Sequence, residues 1–234
     1  MTTIADNLHR VHDRIAAACA GAHRDVNEIT LLAVSKTFAP EAVREAFAAG
    51  QTAFGENYIQ EAVEKIGLLR ELPLQWHCIG PIQSNKTRLV AAHFDWAHTV
   101  DRLKTAQRLS EQRPDGMAPL QVCIQVNIDG GASKSGVSPQ EVLPLARQVA
   151  QLPRINLRGL MTIPEPAPDF AAQVALHLRA KALFDELRRA GLALDTLSMG
   201  MTADLEAAIA AGSTMVRVGT AIFGARPPQM PLPG

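Results

Sequence analysis

A closed (β/α)8 barrel with an extra N-terminal helix is the fold class this sequence predicts, on three observations. Short apolar runs of strand length alternate with helical patterns along the whole chain. Eight such runs can be found. Polar, glycine-containing motifs follow these runs, so they gather at one end of the expected strands.

The elements follow in order. Ile4, Leu8, Val11, Ile15 and Ala18 recur at spacings of three and four, which predicts an amphipathic helix ahead of the first strand. Strand 1 is expected at about 29–35, within ITLLAVSKTF. APEAVREAFAAG comes next, with Pro40 near its start and Gly50 at its end, as a helix is usually punctuated. Further strand runs fall near 52–55 (TAFG), 75–80 (QWHCIG), 96–100 (WAHTV), 120–127 (LQVCIQVN), 155–161 (INLRGLM), 195–199 (DTLSM) and 214–218 (TMVRV). Helical patterns occupy 57–71, 84–92, 101–112, 139–151, 168–190 and 203–211. Uniform alternation implies parallel strands, because each return needs a crossover. Eight units fit a single TIM-type barrel, and 234 residues lie within the range of that fold. An open doubly wound sheet is the alternative, but the GxGxxG usual after its first strand is missing. Residues 1–225 read as one barrel domain, and the proline-rich 226–234 as a loose tail.

Composition narrows the function. Hydrophobic residues make up 47% and charged residues 20%, enough for a sizeable core. Lysine plus arginine equal aspartate plus glutamate at 23 each, so no basic field attracts nucleic acid. Cys19, Cys78 and Cys123 form no CxxC pair and are expected as reduced, mostly buried thiols; no metal site is expected. The N-terminus lacks an apolar signal core, and no stretch reaches the roughly 18 apolar residues of a membrane span. A cytoplasmic protein is the expectation.

The motifs after the strands carry the chemistry. Lys36 ends strand 1, where partial desolvation disfavours its ammonium form and makes a nucleophilic amine. The bland alternative is a lysine that reaches solvent or pairs with Glu56. After strand 7, Gly200 permits close backbone approach and Thr202 offers a hydroxyl, with a helix expected from about Ala203. Gly219-Thr220 repeats that chemistry after strand 8, and backbone amides at helix starts suit a dianion. Helix capping explains each loop singly; two together, opposite a strand-end lysine, point to phosphate. A phosphorylated aldehyde is the natural ligand, and pyridoxal 5′-phosphate (PLP) is one. Arg217 lies two residues before Gly219 and shares its face, so it is placed to donate to a pyridine nitrogen. A permanently charged donor leaves that nitrogen unprotonated and the cofactor a weak electron sink. A salt bridge within the barrel is the plainer reading of Arg217.

The segments LLAVSKTF, FGENYIQEA, WHCIGPIQSNK, SKSG, LRGLMTIP, LSMGMTADLEAAI and VRVGTAIFG together resemble the PLP homeostasis protein family. Those proteins are related to the barrel domain of bacterial alanine racemase. The resemblance spans about residues 5–225. It implies that Lys36 carries PLP as an aldimine and that Asn57 lies beside the cofactor. It implies further that Ser198, Gly200, Thr202, Gly219 and Thr220 form the phosphate loops, with Arg217 at the pyridine nitrogen. His77, Asn85 and Lys86 match a motif near the mouth.

Two functions from different classes follow. The first is a PLP carrier or buffer acting in PLP homeostasis, with apo-enzymes as recipients, amino-acid metabolism as the process affected, and a monomer as its form. The second is a low-activity amino-acid racemase using Lys36 and either water or His77 as bases. The only tyrosine, Tyr58, belongs to GENY, so the second face of a carbanion lacks the tyrosine base of the racemases. A nucleotide-phosphate module on GGASKSG fails the GxxxxGK[ST] spacing. Lys134 in that loop is either a solvated lysine or a transient acceptor of PLP.

Overall fold

The structure, a computed structural model, describes residues 3–131 and 135–225. Lys134 and the tail 226–234 lie outside the described residues. Helix α1 (Ile4–Gly21) comes first. Thr3 caps it by accepting from the Asp6 amide while the Asp6 carboxylate takes the Thr3 N–H, so two orphan donors are satisfied reciprocally. Leu8, Val11, Ile15 and Cys19 form its buried face.

Eight parallel strands then close on themselves in sequence order. They are β1 (Thr30–Val34), β2 (Ala53–Glu56), β3 (Gln75–Cys78), β4 (Trp96–Val100), β5 (Leu120–Val126), β6 (Ile155–Thr162), β7 (Thr196–Ser198) and β8 (Met215–Val218). The crossovers are α2 (Pro40–Ala48), α3 (Ile59–Leu68), α4 (Thr87–His93), α5 (Leu103–Gln112), α6 (Pro139–Val149), α7 (Phe170–Arg189) and α8 (Leu205–Ala210). A short α9 (Thr220–Phe223) follows β8. The expected (β/α)8 barrel with its leading helix is therefore the observed fold.

Two apolar layers hold it. The larger fills the space between strands and helices, with Phe54, Phe94, Leu109, Leu120 and Leu197 among its fully buried side chains. The smaller lies inside the barrel and gathers Leu32, Val34, Ala53, Ile79, Trp96, Cys123, Met161 and Met215. Strand alternation sends neighbouring residues to these two layers in turn. Gly159 lets β6 and β7 approach: a Cβ there would stand 1.6 Å from the Thr196 carbonyl oxygen. The three cysteines are buried and free. Among the described residues, no helix is long and apolar enough to cross a membrane.

Candidate functional site

Lys36 emerges two residues beyond the end of β1 and is half-buried. Its two chain neighbours are both tied to α3 or to β2. The Ser35 hydroxyl donates to Glu56 Oε1 at 2.7 Å, and the Ser35 carbonyl accepts from Lys65 Nζ at 2.9 Å. On the other side, the Thr37 N–H donates to Glu61 Oε1 at 2.8 Å. Thr37 has φ +68, a left-handed conformation that a threonine adopts only when its surroundings impose it. Lys65 closes the cluster by donating to Glu56 at 2.7 Å and Glu61 at 3.2 Å. Glu56 is thus the partner of Lys65. Burial pushes the Glu56 carboxyl up, and the Lys65 ammonium opposes that shift.

β8 pairs directly with β1, from Thr30 with Met215 to Ala33 with Val218. The Gly219-Thr220 turn therefore lies beside the Lys36 strand end rather than opposite it, which corrects the sequence expectation. Barrel closure makes the last strand the neighbour of the first. A Cβ on Gly219 would stand 3.2 Å from the Val34 carbonyl oxygen. Thr220 opens the four-residue α9; the Ile222 and Phe223 N–H groups both donate to the Gly219 carbonyl at 2.9 Å, so only the Thr220 and Ala221 N–H groups precede an intrahelical acceptor. Phe223 stacks on Phe38 with ring centroids 5.1 Å apart, joining this turn to the Lys36 turn.

The β7 loop is built differently from the expectation. α8 starts at Leu205, and 201–204 form a turn before it. Gly200 has φ +95, and a Cβ there would meet Ala208 Cβ at 2.4 Å, so only glycine fits. The Asp204 carboxylate accepts from the Met201 N–H at 2.7 Å and engages His177 Nε2 at 2.9 Å. The Thr202 carbonyl accepts from Arg14 Nη2 at 2.9 Å.

Ser198 does not line this loop with its side chain. It is the last residue of β7, is fully buried, and lies in a hydrogen-bonded chain within the barrel. Arg217 Nη1 donates to Ser198 Oγ at 2.8 Å, and Nη2 donates to the Thr162 carbonyl at 2.9 Å. Ser198 Oγ is 3.0 Å from His98 Nδ1. His98 Nε2 is 2.9 Å from His77 Nδ1, and His77 Nε2 is 3.0 Å from Gln75 Oε1. The direction is set from the Gln75 end, because an amide oxygen only accepts. His77 therefore donates through Nε2 to Gln75 and, when neutral, accepts at Nδ1 from His98 Nε2. Neutral His98 in turn accepts at Nδ1 from the Ser198 hydroxyl, whose oxygen also accepts from Arg217. Both imidazoles are neutral in this arrangement.

The electrostatics agree with that direction. Burial holds His77 down at about 3. Burial first, then competition with the neighbouring His77 ring for a proton and the Arg217 charge, hold His98 well below the usual imidazole range. Burial lowers Arg217 to about 10, which still leaves it charged near neutrality. The guanidinium hydrogen bonds run to a hydroxyl and a carbonyl rather than to a carboxylate, so the barrel-interior salt bridge weighed from sequence is not what holds it. His77, expected near the mouth, is instead fully buried and stacks on Trp96 with centroids 5.1 Å apart. It precedes the strand end, and its ring points into the barrel, where the second histidine takes it.

Of the other expected residues, Asn57 is half-buried just past β2, and its Oδ1 is buried without a hydrogen-bond partner among the described residues. Thr37 Oγ1 is in the same state. Asn85 is exposed on the turn Ser84–Lys86, and Lys86 Nζ donates to Gln60 at 3.1 Å. The sequence reading missed His98, Thr162 and Lys65 as parts of the site. Lys65 gave a signal: it lies nine residues after Glu56, on an apolar helix face.

The chain matches the family described as alanine racemase, N-terminal domain, over residues 7–227. It is 59% identical over 226 residues to the pyridoxal phosphate homeostasis protein of Pseudomonas aeruginosa, covering 97% of each chain. PipY of Synechococcus elongatus PCC7942, solved with PLP bound, superposes with a TM-score of 0.80 at 38% identity, over 92% of this chain and 100% of that one. An alanine racemase of Clostridium difficile shares the fold at a TM-score of 0.74 and 18% identity, over 95% of this chain and 57% of that one. This chain belongs to the alanine racemase N-terminal domain family, in the group formed by the pyridoxal phosphate homeostasis proteins.

Proposed function

We propose that this protein binds PLP and acts as a carrier or buffer in PLP homeostasis, with an effect on amino-acid metabolism. The observation that carries the reading is the placement of half-buried Lys36 at the end of β1, directly beside the Gly219-Thr220 turn on the paired β8. An amine and an amide-rich anion cradle on neighbouring strand ends suit one small molecule that is both aldehyde and phosphate. The unpartnered Asn57 Oδ1 and Thr37 Oγ1 fit a polar guest at the same rim.

PLP supplies, when bound, an aldehyde that condenses reversibly with amines. Lys36 would hold that aldehyde covalently through its ε-amine. The backbone amides around Gly200, Thr202, Gly219 and Thr220 would hold the phosphate. Arg217 would donate to the ring nitrogen and leave it unprotonated, which suits holding the cofactor rather than drawing electrons through it. Asn57 would lie beside the ring. Ser198 acts from beneath, holding Arg217 through its hydroxyl. Apo-enzymes as recipients, a monomeric state and a cytoplasmic setting belong to the same proposal.

Borohydride reduction of the PLP-loaded protein followed by peptide mass spectrometry tests it. The expected label sits on Lys36 and disappears in Lys36→Ala. A label that persists in that variant overturns the assignment. In deuterated water with L-alanine, the loaded protein is expected to leave the amino acid unracemised; rapid chiral inversion refutes the carrier reading.

A further inference from the structure

We propose that α1, which lies outside the eight βα units, sets the spacing between the two phosphate loops through Arg14 and Asn7; the ligand named rests on the function proposed above. Three observations lead there. First, α1 packs against α8, α9 and α2, the helices that follow β7, β8 and β1. Its apolar face is anchored by Leu8, Val11, Ile15 and Cys19, so its polar side chains have a rigid base.

Second, one α1 residue reaches the β7 loop and another reaches α9, the short helix that the Gly219-Thr220 turn opens. Arg14 Nη2 donates to the Thr202 carbonyl at 2.9 Å while Nε and Nη2 grip Glu206 at 2.8 and 3.0 Å. Asn7 Nδ2 donates to the Ile222 carbonyl at 2.9 Å. The forked Arg14–Glu206 contact fixes direction as well as distance. These two residues are seven apart, two turns of one helix, so the spacing of their targets is tied to a rigid element.

Third, the sheet ties the two strand ends but not the loops beyond them. The Thr214, Met199 and Arg217 N–H groups donate across the seam to the Leu197, Met215 and Gly200 carbonyls at 3.1, 3.1 and 3.0 Å, and β7 and β8 share one register pair, Ser198 with Met215. Past Gly200, no hydrogen bond among the described residues joins 201–204 to 219–223. A phosphate gripped by both needs their amides placed within a fraction of an ångström, and a support that spans the seam supplies this. Arg14 and Asn7 are positioning residues: they touch the loops and not the ligand.

The test uses Arg14→Ala and Asn7→Ala, with Arg10→Ala, an exposed change on the same helix, as control. Arg14 is partly exposed and its ion pair lies near the surface, so its removal leaves the fold in place. Two readouts are taken. Amide hydrogen exchange is expected to quicken at 201–204 in Arg14→Ala and at 220–223 in Asn7→Ala, without change in Arg10→Ala. Binding of PLP is expected to weaken roughly five- to tenfold in each variant, while binding of pyridoxal, which lacks the phosphate, stays as in the parent protein. Unchanged exchange at both loops, or equal weakening of PLP and pyridoxal, overturns the proposal. Localised exchange changes in a protein that binds neither compound uphold the brace and refute the PLP reading instead.

Discussion

Acidification from about pH 7.5 to about pH 5.5 is expected to cost this protein roughly 3 kcal/mol of stability, through His77 and His98. Both rings are fully buried, and in the hydrogen-bonded chain from Ser198 to Gln75 each is a neutral donor–acceptor. His77 is held down at about 3 by burial, and His98 well below its usual value by burial and by neighbouring charge. The sign follows from the unfolded state, where each imidazole titrates near 6.5. Above that value neither state carries the proton and nothing is lost. Below it, the unfolded chain binds a proton on each ring and the native protein refuses it. Stability therefore falls from about pH 6.5 downward, until the native rings themselves protonate. At pH 5.5 the loss is about 1.4 kcal/mol per histidine. Against a typical total of about 5–15 kcal/mol, the two together are a large share. Asp195, Asp204 and Glu206 have lowered carboxyl values, so their contribution is lost only at greater acidity. Urea unfolding across that pH range measures the loss. NMR of the imidazole C2 protons assigns it: the His77 and His98 signals should show no titration down to about pH 4. A flat unfolding free energy, or titration of either of these native rings near 6.5, refutes the neutral-chain argument.

Two further outcomes follow from the packing. Lys65→Met leaves Glu56 buried and without its cation, and should destabilise by roughly 3–5 kcal/mol in chemical denaturation; Lys65→Met with Glu56→Gln should recover most of that, and a double variant no better than the single one contradicts the pairing. Gly159→Ala puts a methyl 1.6 Å from the Thr196 oxygen, forces β6 from β7, and should lower stability by roughly 3 kcal/mol; an unchanged melting temperature means the strands are not that close.

Much of the architecture is a local property of the chain. Strand β4 and the helices after β1 and β5 are readable because short strand-length runs and period-3.6 patterns, with Pro40 and Pro139 at helix starts, involve only neighbours in sequence. Lys36 as the residue leaving β1, and the glycine turns after β7 and β8, are legible for the same reason. What surrounds them is not. The β8 loop lies beside Lys36 because the barrel closes, and no window of sequence contains both ends of that seam. Ser198 looks like part of a loop motif until its hydroxyl is seen between His98, 100 residues away, and Arg217. Arg14 reaches a carbonyl 188 residues on, and nothing near residue 14 marks it. Side-chain period says which face a residue takes. Only closure of the sheet and docking of α1 decide which polar groups then share a buried space, and a buried donor must find its acceptor there, whatever their distance along the chain.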